Sequence, residues 1–80
     1  RVKALFDASC KWRLVEEFGT DYFEEQADGK LLFHADYTDV DNLLTWLFTF
    51  QDRVILLEPE DLRQKLMETL EKMRQLYREG

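Results

Sequence analysis

The sequence is poor in cysteine, proline, glycine and positive charge, and each shortage excludes something. A single cysteine, Cys10, rules out an intrachain disulfide and gives no sign of an oxidising compartment. Three glycines, Gly19, Gly29 and Gly80, cannot build a phosphate-cradling loop. No apolar run approaches the ~20 residues that a membrane-spanning helix needs, so no membrane partner is expected. One histidine, His34, and one cysteine leave no cluster with metal-ligand spacing, and the acidic stretch lacks an Asp-x-Asp-x-Asp-Gly loop with a closing Glu. No metal and no cofactor is expected.

Cations are outnumbered, 11 Lys and Arg against 17 Asp and Glu, for a net charge of −6. The imbalance sits between residues 21 and 42, where Lys30 stands among Asp21, Glu24, Glu25, Asp28, Asp36, Asp39 and Asp41. Phosphate contacts require facing cations, so the chain as a whole would be repelled by a DNA duplex. What the chain does have is apolar bulk: 45% hydrophobic residues and 14% aromatic ones, too many for a disordered segment. Eighty residues allow one domain, 1–80, with a thin stability margin. Opening on Arg1 rather than Met, it reads as a segment of a longer, cytoplasmic protein.

The apolar pattern places the elements. Val2, Ala4 and Phe6 alternate with Lys3, Leu5 and Asp7 at strand period. Ser9 is positioned to cap a helix whose apolar stripe is Trp12, Val15 and Phe18, with Leu14 beside it, and Gly19 stops it. Tyr22–Gln26 reads as a short strand, and Ala27-Asp28-Gly29-Lys30 as a hairpin turn. Leu31–Tyr37 is long and apolar enough for a central strand. Thr38-Asp39-Val40-Asp41 opens a second helix with the stripe Val40, Leu43, Leu44, Leu47 and Phe50. Arg53–Leu57 is a fourth strand. Pro59-Glu60-Asp61 starts a last helix with Leu62, Leu66, Leu70, Met73 and Tyr77 along one side, which would make Leu66 and Leu70 core residues.

The order β-α-β-β-α-β, then one more helix, predicts an α+β ferredoxin-like sandwich with both internal helices on one face of a four-stranded sheet. The opposite face then carries Leu5, Leu32, His34 and one of two pairs, Val54 with Leu56 or Ile55 with Leu57. So apolar a face is not left in water, which predicts docking on neighbouring protein. Trp46 and Phe48, at the edges of the second helix's stripe, are either the rim of the core or anchors for that neighbour.

Nothing in the pattern points to catalysis. His34 has no nucleophile and elbow glycine around it, Cys10 has no redox partner, and Glu24 and Glu25 point to opposite faces of a strand. Acylphosphatase-like hydrolysis would need a glycine-bearing loop after the first strand, where Ala8-Ser9-Cys10-Lys11 has none. Amino-acid-sensing modules of the same topology also use such a loop. A small-molecule module for amino acids or nucleotides is the alternative reading.

One string is distinctive: Leu44-Thr45-Trp46-Leu47-Phe48-Thr49-Phe50, then Asp52-Arg53-Val54-Ile55-Leu56-Leu57-Glu58-Pro59-Glu60-Asp61-Leu62-Arg63. It resembles the C-terminal extension, or WCX domain, of the bacterial WYL-domain transcriptional regulators. Those chains commonly end in a "WLLSFG…VEVLEPEELR" run and an amphipathic helix with a late tyrosine, here Tyr77. The likeness extends over nearly the whole chain, and the family's glycine after the Phe is Gln51 here. The resemblance implies a non-catalytic sensor and dimerisation domain. Its partners would be the WYL and winged helix-turn-helix domains of the same chain and a second copy, and duplex DNA would be read only by the full-length protein. In some members the effector resembles a nucleotide or single-stranded nucleic acid. By that likeness Arg13 and Arg53, with Lys11 behind them, are the candidate ligand contacts.

Overall fold

The computed structural model describes residues 1–79. Four strands, β1 (Val2–Phe6), β2 (Phe23–Glu25), β3 (Leu31–Ala35) and β4 (Val54–Glu58), alternate with α1 (Lys11–Phe18) and α2 (Val40–Phe48), and α3 (Glu60–Glu79) follows. The sheet order is β2-β3-β1-β4 with every neighbouring pair antiparallel, the arrangement of an α+β ferredoxin-like sandwich with an added C-terminal helix. Two short 3-10 turns, Ala8–Cys10 and Gln51–Arg53, lead into α1 and β4.

One face of the sheet is the core. Val2, Ala4 and Phe6 of β1, Phe23 of β2, Leu31, Phe33 and Ala35 of β3 and Leu56 of β4 are buried. Leu14 of α1 and Leu43, Leu44 and Leu47 of α2 close over them. An aromatic cluster locks the layers together. The Phe6 ring meets Phe50 edge-on at 4.8 Å and Phe33 at 5.7 Å, and Trp46 lies against Phe6, Phe18, Phe33 and Phe50 at 5.0 to 5.7 Å. Edge-to-face contacts of this kind add to the burial of the rings themselves.

Local chemistry fixes the joints. In the hairpin, Asp28 Oδ1 accepts from the Lys30 N–H at 3.0 Å, and Gly29 takes φ +89°, a conformation that a side chain would strain. Asp39 caps α2, Oδ1 accepting from the Asn42 N–H at 3.1 Å and Oδ2 from its side-chain amide at 2.8 Å.

Four expectations are corrected. Asp7 rather than Ser9 does the capping ahead of α1, its Oδ2 accepting from the Ser9 N–H at 3.0 Å and from the Ser9 hydroxyl at 2.6 Å. The 3-10 turn shifts the helix start and rotates its face, so Cys10, Leu14, Val15 and Phe18 pack inward while Trp12 is 73% exposed. Val40 stands exposed at the start of α2, outside the stripe that Leu43 begins. On α3 the core contact is short. Leu62 is 5% exposed and Leu66 is partly buried, but Leu70 is 47% exposed, because the helix runs past the body of the molecule. β4 turns Leu56 inward, so the pair on the open face is Ile55 and Leu57.

Candidate functional site

Sheet register assembles the open face. Glu24, Leu32, Leu5 and Ile55 stand in one row across all four strands, and His34 and Lys3 pair in the next row with Glu58 opposite Lys3. Leu5, Leu32, His34 and Leu57 are half-buried, and Ile55 is 51% exposed. His34 Nδ1 accepts from the Arg1 guanidinium at 3.1 Å, and Lys3 reaches Glu58 at 3.6 Å. An apolar band through Leu32, Leu5 and Ile55 is thus flanked by the Lys3–Glu58 ion pair and the Arg1–His34 hydrogen bond. The Leu5 and Leu32 part of the band follows from the alternation of β1 and β3, while Ile55 is fixed by the β4 register.

Trp46 and Phe48 lie on the other side of the sheet. The Trp46 ring sits among the core phenylalanines, and its Nε1–H donates to Glu17 Oε2 at 3.0 Å. Phe48 is half-buried beside Leu47, Val54, Leu56, Leu66 and Leu70, lining a small apolar hollow of about 90 Å³ between α2 and α3.

The three candidate cations separate. Arg13 donates to Thr49 Oγ1 at 2.6 Å, pairs with Glu17 at 3.5 Å and lays its guanidinium 3.9 Å over the Phe50 ring. The Thr49 hydroxyl in turn donates to the Trp46 carbonyl at 2.6 Å, so Arg13 ties α1 to the end of α2. Lys11 pairs with Glu25 across to β2. Arg53 is different. Its backbone carbonyl accepts from the Asp7 N–H at 2.8 Å, and its Nε donates to the Phe50 carbonyl at 3.3 Å. Arg53 lines a cavity of about 290 Å³ at the foot of the open face, together with Leu5, Phe6, Asp7, Lys30, Asp52 and Ile55.

The acidity of Asp7 is displaced. Hydrogen bonds from the Ser9 hydroxyl and N–H hold its carboxyl below the usual value of 3.8, and the positive charges of Lys30 and Arg53 add to the effect. The structure thus brings Arg53 to a cavity and leaves Arg13 and Lys11 in intramolecular pairs. Lys30 and Asp52 were not singled out from the sequence. The available signal was Lys30's isolation as the only cation of the acidic stretch.

Among the described residues no group of three or more His, Cys, Asp or Glu side chains could hold a metal ion, and no helix is long and apolar enough to cross a membrane. No match to the chain is found among curated proteins. A family model, that of the WCX domain, matches residues 1–74. Because that match takes in residues 1–74 of the 80, the chain belongs to the WCX domain family, a family of regulatory domains.

Proposed function

We propose that the chain is the C-terminal ligand-sensing and dimerisation domain of a bacterial WYL-type transcriptional regulator. In this reading the DNA is read by a winged helix-turn-helix elsewhere in the protein, and the chain itself performs no catalysis. The observation that carries the reading, beside the family match, is the apolar band of Leu5, Leu32 and Ile55 across a sheet face that its own α1 and α2 leave open. Side chains at that density are expected to dock, with His34 and Lys3 at the rim of the contact. Regulation would follow if the docked and undocked states bind effector differently. With a net charge of −6, contact with duplex DNA falls to the other domains.

Sedimentation of the chain over a range of concentrations, with and without the WYL segment of the same protein, tests this. A reversible dimer or a complex with the WYL segment is expected, and Leu32→Asp should abolish it. A monomer at every concentration that ignores the WYL segment would overturn the docking role. The cavity beside Arg53 favours a second reading, a small-molecule regulatory module whose ligand acts without dimerisation.

A further inference from the structure

We propose that the cavity at the foot of the open sheet face binds a small zwitterion with an apolar body, in chemical class an α-amino acid. The proposal gives a ligand class to the sensing role above and rests on that reading for its regulatory meaning.

The argument starts from which charges are already spoken for. Six cations lie before α3: Arg1, Lys3, Lys11, Arg13, Lys30 and Arg53. Arg1 is held by His34, Lys3 by Glu58, Lys11 by Glu25 and Arg13 by Glu17 and Thr49. Lys30 and Arg53 have no carboxylate partner among the described residues, although the chain is rich in carboxylates. Both line the same cavity. The two cations come from the strands on either side of β1. Lys30 precedes β3 and Arg53 precedes β4, and β1 runs between those strands. Arg53 is also held in place. Its N–H and its Nε both donate to the Phe50 carbonyl, and its own carbonyl takes the Asp7 N–H. Its terminal guanidinium nitrogens have no partner among the described residues.

The acids on the same wall decide what kind of anion fits. Asp7 is occupied by Ser9. Asp52 makes no side-chain hydrogen bond or ion pair among the described residues, and it lines the cavity beside Arg53. The site therefore offers uncommitted charge of both signs. A phosphate dianion would meet two carboxylates at short range, whereas a carboxylate with an ammonium group next to it would gain from both sets. Leu5 and Ile55 supply an apolar floor, and a volume of about 290 Å³ is at the low end for small-molecule sites, enough for an amino acid and small for a nucleotide.

The test is a nitrogen-edited NMR titration of the chain with four probes. These are leucine, 4-methylpentanoate (leucine without its amine), 3-methylbutylamine (leucine without its carboxylate) and AMP. Leucine is expected to shift the amides of Leu5, Lys30, Asp52, Arg53 and Ile55, and to bind about tenfold more tightly than either truncated probe. AMP is expected to leave those amides unmoved. Arg53→Gln should weaken leucine about tenfold, and Arg53→Lys should keep part of the binding. Asp52→Asn should weaken leucine by a similar factor while leaving 4-methylpentanoate unchanged. Arg74→Gln, on α3 and outside the cavity lining, should change nothing. Equal binding of leucine and 4-methylpentanoate, tighter binding of AMP, or no shift at these residues at saturating probe would each overturn the proposal. The sedimentation result above is independent of it: a monomer that binds leucine removes the docking role and keeps the site, and a dimer that binds none of the probes does the reverse.

Discussion

The globular body and the far half of α3 are both amphipathic in sequence, and they come to opposite ends. In the body, apolar spacing ends in burial. Phe6, Phe33 and Phe50 are within 1% of complete burial, and all three rings pack against Trp46. Along α3 the same kind of spacing ends in solvent. After Leu62 and Leu66 the stripe continues through Met67, Leu70, Met73, Leu76 and Tyr77, and exposure rises to 72% at Leu76 and 87% at Tyr77. A helix of 20 residues extends about 30 Å, longer than two of the molecule's three extents, 42, 25 and 21 Å. Helical period therefore records that a face is meant to be covered. It does not record by what.

The sharpest way to break the comparison is to delete one side chain from each region. Phe33→Ala removes a fully buried ring that touches Phe6, Phe18 and Trp46, and should cost about 3–5 kcal/mol. That is most of the stability of a domain this small, so the variant should be largely unfolded at room temperature. Leu70→Ala should cost less than about 1 kcal/mol in the isolated chain, with Leu62→Ala between the two. Thermal melts of the three variants check the order. If Leu70→Ala matched Phe33→Ala, the far half of α3 would be covered in solution.

How far the sequence could be read follows from the same distinction. Strand alternation in β1 and β3, the Asp28-Gly29 turn, and the Asp39 start of α2 were legible because each depends on neighbours within a few residues. The face of α1 was misread, since an intervening 3-10 turn after Asp7 is set by a contact with Arg53 that is distant in sequence. The choice between Val54 with Leu56 and Ile55 with Leu57 was open for a related reason. A register shift between Lys3 and Ala4 separates the β1–β4 pairing from simple alternation. For the site, Arg53 was visible as a candidate, but its pairing with Lys30 and Asp52 depends on β1 lying between β3 and β4, which no local pattern displays. Arg13 was visible too, and its bond to Thr49 and its place over Phe50 were not.

A smaller effect is expected within the body, at the turn between α2 and β4, where Gln51 stands at the position for which the family resemblance implies a glycine. Gln51 sits at φ +60°, in the left-handed region. The substitution has left the turn's backbone conformation glycine-like, at the cost of strain in a residue with a Cβ. Gln51→Gly should relieve that strain and raise stability by up to about 1 kcal/mol, offset in part by the extra freedom glycine gives the unfolded chain. Denaturant unfolding of the two proteins measures it. A loss of stability would mean that the Gln51 side chain, which lines the hollow beside Phe48 and Leu66, contributes more by packing than its backbone costs.

The smallest effect concerns acid, and it separates the regions by charge rather than by volume. Asp7 in the body has its carboxyl held below the ordinary value of 3.8, first by the Ser9 hydroxyl, then by the Ser9 N–H, with Lys30 and Arg53 adding attraction. A carboxyl whose acidity is greater in the folded chain contributes stability that is fully present above its unfolded value and is lost as pH falls through the folded one. The contribution of Asp7 should therefore be complete at neutral pH and fade below about pH 4. Asp7→Asn should lower the melting temperature at pH 7, and the gap between variant and parent should narrow as the pH falls below about 4 and the Asp7 carboxylate of the folded chain takes up its proton. Ser9→Ala should do the same by removing the strongest of the bonds that favour the carboxylate.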